Sequence, residues 1–598
     1  MRLAASPSRG ATAFLLAAAL ATPRCASSPD RTPRAAERVA VISFDGLGGV
    51  RLNRLLADGK LDAGGFAAFA ERGLFAGRAI DVTPSLTPAA HISAITGAPP
   101  SATGIVSNSF RTPGSPFGRA TTGFTAEIET ETLWEAARRQ KKRVAVLLYP
   151  GADGTSERRR GDLGLVWPDL PVKESAILAL GSDRFEAAVP GTARARSFSP
   201  VRQARVEITV PGGHVLRLRL VAVDTTDDGA TNYDLLEITR EDQQAPAPAV
   251  AVGRRGWFEL SLGGPEASLT SWCRVREIDP GLASVSLYVG AFWRVPAYPE
   301  SFRSRIEKAA GGWPGAPDNA LTRAGRTQED EQAAEEQALR LADYLTKVLV
   351  YTIQSERWDL LIGYQPLVDE VEHAFEPGPG GGSREAVERA FKAADRSVAA
   401  LLGALTPRDA LFIMSDHGMV PLRYGVNLDL FLSQKGWTVV RDESAPPGSR
   451  RVQICTSSGI AHVYLDPALP KDQREAALSA LLTDLRALAS LPGEVVDEVL
   501  EKVDLARVGL DNPRSGDAVV LLKPGAVFTR SSASVVGPAR LRGGHGYRVG
   551  PPELDASLLA IGPGIAKERP ATVSLLEVAA RAARALGIET PRGPAPVP

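Results

Sequence analysis

Four short apolar runs constrain this chain most. Val39–Phe44, Arg143–Leu148 (RVAVLL), Trp358–Tyr364 (WDLLIGY) and Ala410–Ser415 (ALFIMS) are each nearly continuous in apolar residues. Such runs suit strands buried on both faces of a sheet. Each lies close to a helical pattern. Thr132–Gln140 precedes the second run, and Ser383 caps a segment that places Val387, Ala390, Phe391, Ala394, Val398 and Leu401 on one face before the fourth. Strands alternating with helices predict an α/β fold: a central, mostly parallel β-sheet flanked by helices on both faces.

The region from about 196 to 295 reads differently. Its runs alternate apolar and polar residues (VEITV, VLRLRLVAV, YDLLEI, WFELSL, VSLYVG), with Gly, Asp and Pro between them. That pattern predicts a β-rich, antiparallel insertion. A charged helix over about 328–351 leads back to the α/β pattern. The chain therefore divides into a leader (1–24), a linker (25–36), a first part of the α/β core (37–180), the insertion (181–335), a second part of the core (336–590) and a terminal tail (591–598). Trp257, Trp272, Trp293 and Trp313 are read as core of the insertion in preference to a binding cleft.

The leader has a purpose of its own. Arg2 and Arg9 precede the apolar run Ala11–Ala21, which ends in small residues. This is the pattern of a secretory signal peptide, and it predicts an exported, periplasmic or extracellular protein. Cys25 is a candidate lipid anchor, although Thr22-Pro23-Arg24 makes a poor cleavage box. No apolar run is long enough to cross a membrane. Lys+Arg and Asp+Glu both count 69, so no basic footprint for nucleic acid is expected. With only Cys25, Cys273 and Cys455 available, no cysteine metal site can form, and any transition metal must sit on His and carboxylates. Cys273 and Cys455 are either a disulfide or two buried thiols.

His and Asp residues gather just after the predicted strands. Asp45 ends the first, Asp369 and His373 follow the third, Asp416 and His417 end the fourth, and His545 lies in Gly543-Gly-His-Gly546. Functional groups in open α/β sheets collect at the carboxyl ends of strands. Three Asp and three of the six His arriving there suit two cations bound by nitrogen and oxygen. Asp369 and His373 are four apart and share a helix face, either as a ligand pair or as an exposed pair. Thr87, just before Pro88, stands at a predicted helix start, where it is either an activated hydroxyl or an N-cap. His91 is read as a helix-packing residue.

In order, VISFDG, SLTPAAHISAITGAPPSATGIVSN, DEVEH, SDHGM and GGHGY followed by LLAIGPGI resemble the type I phosphodiesterase/nucleotide pyrophosphatase family of the alkaline-phosphatase superfamily. The resemblance covers 38–151 and about 345–590. It implies two zinc ions, with manganese or iron as substitutes. Asp45, Thr87, Asp416 and His417 match the ligands of one ion, and Asp369, His373 and His545 those of the other. Thr87 matches the nucleophile that forms a phospho-threonine intermediate, and Asn108 the residue that binds a phosphoryl oxygen. The implied substrate is a small phosphate ester, nucleotide or phospholipid-like. Two departures bear on substrate choice. Relatives read Lys-Thr-Phe-Pro-Asn where this chain has Ser85-Leu86-Thr87-Pro88-Ala89, and Thr103 replaces the His of Ser-His-Gly-Ile. A phosphomonoesterase and an inactive surface-binding homologue stay open as alternatives. A sulfatase does not fit, because no cysteine lies near Thr87. The insertion is a candidate cover for the mouth of the site.

Overall fold

A computed structural model gives the structure of residues 35–593 apart from 62, 169, 190, 213, 243–248, 263–268, 317–326, 380 and 443–449. The leader, Cys25, the linker through residue 34 and the last five residues lie outside the described residues.

All four apolar runs enter one sheet. Its strands are β1 (Arg38–Phe44), β2 (Leu74–Phe75), β3 (Val144–Leu147), β4 (Leu163–Leu165), β5 (Ala297–Tyr298), β6 (Leu360–Gln365), β7 (Asp409–Met414) and β8 (Leu558–Ile561), in the order β5-β4-β3-β6-β1-β7-β8-β2. The pairs β4–β3, β3–β6, β6–β1 and β1–β7 are parallel, whereas β5, β8 and β2 pair antiparallel at the flanks.

The apolar content of β1 follows from its position between β6 and β7. Val39 and Val41 pack on one face with helices α1 (Thr87–Thr96) and α5 (Glu577–Leu586). Ala40 and Ile42 pack on the other face with α2 (Gln328–Ser355), α3 (Leu367–Phe375) and α4 (Arg384–Ala404). A strand with a period of two thus faces a hydrophobic layer on each side. Burying each Val or Ile side chain here contributes about 1.5–3 kcal/mol. Ser383 caps α4 by accepting from the Ala386 N–H, and all six residues predicted for its inner face are buried.

The insertion forms two antiparallel sheets around a core of their own. One runs 250–253, 235–240, 214–223, 202–210 and 186–187, and the other runs 257–262, 269–278, 284–289 and 176–181. Trp313 is buried, while Trp257, Trp272 and Trp293 are half-buried. The Arg340 guanidinium of α2 lies 4.3 Å from the Trp257 ring and 4.1 Å from the Trp272 ring, so these tryptophans dock the insertion on α2. A further five-stranded sheet (438–439, 451–457, 460–465, 518–522 and 496–501) lies within the second part of the core. Cys273 and Cys455 are both buried free thiols on different sheets, which removes the disulfide alternative. Among the described residues, no helix is long and apolar enough to cross a membrane.

Candidate metal centre and its cleft

Three adjacent parallel strands deliver the three carboxylates. The register pairs Phe44 with Gln365 and Ser43 with Met414, so β6, β1 and β7 end side by side. Asp45 follows β1, Asp369 sits in the first turn of α3 just beyond β6, and Asp416 and His417 follow β7. Gly46 permits this closeness. It adopts φ +71°, and a Cβ there would stand 2.9 Å from the Asp369 Cα. Its N–H donates to Asp416 Oδ1 at 3.2 Å.

The imidazoles converge on the same point. His373 Nε2 lies 3.3 Å from Asp369 Oδ1 and 3.3 Å from His545 Nε2. His417 Nε2 lies 2.9 Å from Asp416 Oδ2 and 3.4 Å from Asp45 Oδ1. The rings of His417 and His545 stack with centroids 3.6 Å apart. Ligand-forming atoms of Asp369, His373 and His545, and those of Asp45, Asp369 and His417, lie within 4.8 Å of one another.

Thr87 is the first residue of α1, and Leu86 is the N-cap. The Thr87 hydroxyl caps nothing and stands 3.4 Å from His417 Nε2. That disposes of the N-cap alternative and moves Pro88 from the first to the second helical position. His91, one turn on, is fully buried behind the site. Its Nδ1–H donates to the Thr87 carbonyl at 2.8 Å, and its Nε2 accepts from the Ser43 hydroxyl at 2.7 Å. Both ring nitrogens are thus engaged within the protein, and Nδ1 also lies 3.3 Å from Asp416 Oδ2, so that the ligand-forming atoms of Asp45, His91 and Asp416 too lie within 4.8 Å of one another.

These groups are of the kind that holds a metal ion. The Nδ1–H groups of His373, His545 and His417 donate to the carbonyls of Gly543, Ser85 and Gly418 at 2.9, 2.8 and 3.1 Å. That fixes the rings with Nε2 facing inward, the arrangement found around ligating histidines. Asp45 Oδ1, Asp369 Oδ1 and Asp416 Oδ2 are buried without hydrogen-bond partners. Three such oxygens in one place suit a cation.

Burial and mutual charge also shift the titration of the cluster. Burial, reinforced by Asp416 and Asp369, raises the Asp45 carboxyl far above the usual range. Burial opposes a charged His417, but the Asp416 carboxylate outweighs it and pushes the imidazole up to about 10. Burial holds His545 well below its ordinary value, helped by His417 and His373. Without ions, protons take up the charge the carboxylates cannot share.

A cleft of about 470 Å³ opens onto Asp45, Thr87, Asn108, Asp369, His373 and His545. Every residue predicted for the site is therefore at the cleft or, for Asp416 and His417, directly beneath it. Several residues at the cleft carried no signal in the sequence. Tyr364, the penultimate residue of β6, donates to Asp45 Oδ2 at 2.5 Å. Phe124, Tyr149, Trp167 and Glu370 form other parts of the lining. Among the described residues, none from 181–335 lines the cleft; Trp167, which does, packs edge-on against Trp313. Helix α3 is held from outside by Arg51, which pairs with Glu372 and with Glu376 at 2.5 Å.

Comparison with known proteins places this geometry in a family. The sequence model for type I phosphodiesterase/nucleotide pyrophosphatase matches residues 39–207 and 268–548. No curated protein sequence matches the chain. Among solved structures, human ectonucleotide pyrophosphatase/phosphodiesterase 5 is 14% identical and aligns over 92% of this chain and 96% of its own, with a TM-score of 0.49. The murine protein, solved as an inactive variant in complex with AMP, aligns over 93% and 96% at 13% identity and the same score. Phosphonoacetate hydrolase from Sinorhizobium meliloti 1021, solved with phosphonoacetate, gives 93%, 96%, 16% and 0.46. With three-quarters of its length matched, the chain belongs to the metal-dependent type I phosphodiesterase/nucleotide pyrophosphatase family and is a phosphoric ester hydrolase.

Proposed function

We propose that the protein is an exported phosphodiesterase in which Thr87 attacks the phosphorus of a small phosphate ester at a two-metal site. The observation that carries this reading is the approach of the Thr87 hydroxyl to a cluster of three buried carboxylates and three inward-facing imidazoles. Two divalent cations, one held by Asp45, Thr87, Asp416 and His417 and the other by Asp369, His373 and His545, would act as Lewis acids on the attacking and leaving oxygens. The mixed nitrogen and oxygen donors suit zinc, with manganese or iron as substitutes.

The chain's own groups account for the remaining steps. Thr87 opens α1, whose N-terminal dipole favours negative charge on its oxygen. Its Oγ attacks phosphorus as the bond to the leaving alcohol breaks, and the phosphoryl group passes to Thr87. Asn108 lines the cleft beside Thr87, with a half-buried side chain placed to donate from its amide to an equatorial oxygen. Water then displaces Thr87 from phosphorus, regenerating the hydroxyl. Tyr364 holds Asp45 throughout, and His91 holds the first turn of α1. Export is supported by the basic start and short apolar run of residues 1–24.

The test is steady-state hydrolysis of a p-nitrophenyl phosphodiester beside the matching monoester, with Thr87→Ala as control. The reading expects faster diester turnover, reduced by at least about 10³-fold in the variant and abolished by chelation. Faster monoester turnover would move the chain to the phosphomonoesterase alternative.

A further inference from the structure

We infer that the protein forms a two-fold dimer in which the strand Ala176–Gly181 of the insertion pairs antiparallel with the same strand of a second copy. The inference goes beyond the proposed reaction and does not depend on it.

The first observation is a bare sheet edge. Ala176–Gly181 is an outer strand of its four-stranded sheet and pairs on one side with Ser284–Val289. A bridge between Lys173 and Phe292 extends that pairing along the same side. The other side has no strand against it among the described residues. Ile177 is 40% exposed and Ala179 is exposed too, so the middle of the strand reaches the surface. Folded proteins blunt such edges with charge, proline or short length. Every other sheet edge among the described residues is four residues long or shorter, or carries charge. Trp257–Leu262 contains Glu259, and Val496–Glu501 contains Asp497, Glu498 and Glu501. The six residues AILALG contain neither charge nor proline.

The second observation is the charge pattern around that strand. Lys173 and Glu174 precede it, and Asp183 and Arg184 follow it in the turn Ser182–Arg184. The order is plus, minus, strand, minus, plus. Among the described residues the side chains of Lys173, Glu174 and Asp183 have no ion pair, and Arg184 reaches only the Arg205 carbonyl, at 3.3 Å. Opposite charges at the two ends of one strand are complementary to a second copy running the other way.

The third observation is the parity of the strand. Val172, Leu178 and Leu180 pack on the core of the insertion, so the even-numbered residues face inward. Residues directly opposite in an antiparallel pair share a face, and a slip of one residue would set inward residues against outward ones. The two-fold can therefore centre on Leu178 or on Ala179. Centred on Leu178, it sets Lys173 of one copy beside Asp183 of the other. Centred on Ala179, it sets Glu174 beside Arg184. The register midway between them fails on parity, and it is also the one that would oppose Lys173 to Arg184 and Glu174 to Asp183. Packing and charge thus select the same registers. Such a contact uses one patch on both copies, as the common two-fold dimers do.

The test is sedimentation equilibrium of the full-length protein. The wild-type chain is expected to be a dimer. Lys173→Glu with Glu174→Lys brings like charges together in either register, and so does Asp183→Arg with Arg184→Asp. Each pair of changes should weaken self-association by at least about tenfold. Mixed in equal amounts, the two variants have complementary ends again and should dimerise with each other. Ile177→Lys, which puts a charge in the bare edge, should give a monomer. Thermal unfolding checks that each variant is folded. A monomeric wild-type protein overturns the inference. So does a dimer that these variants leave intact, and so does a failure of the two charge variants to pair when mixed.

Discussion

The carbonyl of Ser85 accepts a hydrogen bond from Nδ1 of His545 at 2.8 Å, while the Ser85 hydroxyl accepts from the N–H groups of Gly546 and Tyr547 at 3.0 Å each. One residue, two positions before Thr87, thus fastens the Gly543–Tyr547 loop to the segment that carries the nucleophile. Ser85→Ala leaves two buried amides without their acceptor. The expected cost is about 1–3 kcal/mol of stability, while metal affinity is kept, because the His545 imidazole is held by the Ser85 main-chain carbonyl, which the substitution leaves in place. Urea unfolding with and without metal measures both; a variant with unchanged stability would contradict the assignment.

Arg51 is the external support of the helix that presents Asp369 and His373. Its guanidinium is the cation against which buried Glu372 and Glu376 are set. Burial pushes Glu372 up to about 8 even beside Arg51. Arg51→Ala is expected to lose about 3 kcal/mol, the scale of breaking a buried pair. Adding Glu372→Gln to Arg51→Ala should recover part of that loss, which a double-mutant cycle reads directly.

His462 provides a pH prediction away from the metal centre. It is fully buried on the sheet of residues 451–465, and burial lowers its imidazole to about 4. The unfolded chain takes a proton near the ordinary value of about 6.5, so between the two the unfolded state binds more protons. The contribution of His462 is complete above pH ~6.5 and falls by about 3 kcal/mol as pH drops toward ~4. Denaturant titrations at several pH values should show a shallower acid decline in His462→Gln. Equal slopes in both proteins would contradict the burial argument.

The sequence carried the fold where physics leaves a periodic or compositional trace. β1, β6 and β7 are buried on both faces, which forces continuous apolar runs, and their ends bear the Asp and His residues. The start of the insertion was less legible. The strand Ala176–Gly181 is apolar throughout, yet its residues alternate in exposure and Ile177 is 40% exposed, so composition gave no boundary. The five-stranded sheet of 438–522 includes Arg451–Ser457, whose mixed residues are buried by tertiary packing and not by pattern. At the site, Thr87 before Pro88 reads on its own more readily as a cap than as a nucleophile, whereas in the structure its hydroxyl stands 3.4 Å from His417 Nε2. Tyr149, Trp167 and Glu370 belong to the cleft through loop placement and helix packing, which leave no mark in residue spacing.

The most direct test of Thr87 as a covalent nucleophile is the stereochemical course at phosphorus, followed with a chiral phosphorothioate diester hydrolysed in isotopically labelled water. Attack by Thr87 and then by water is two in-line displacements, so the account predicts net retention of configuration. Net inversion would mean that water attacks the substrate directly, and would contradict a phospho-threonine intermediate.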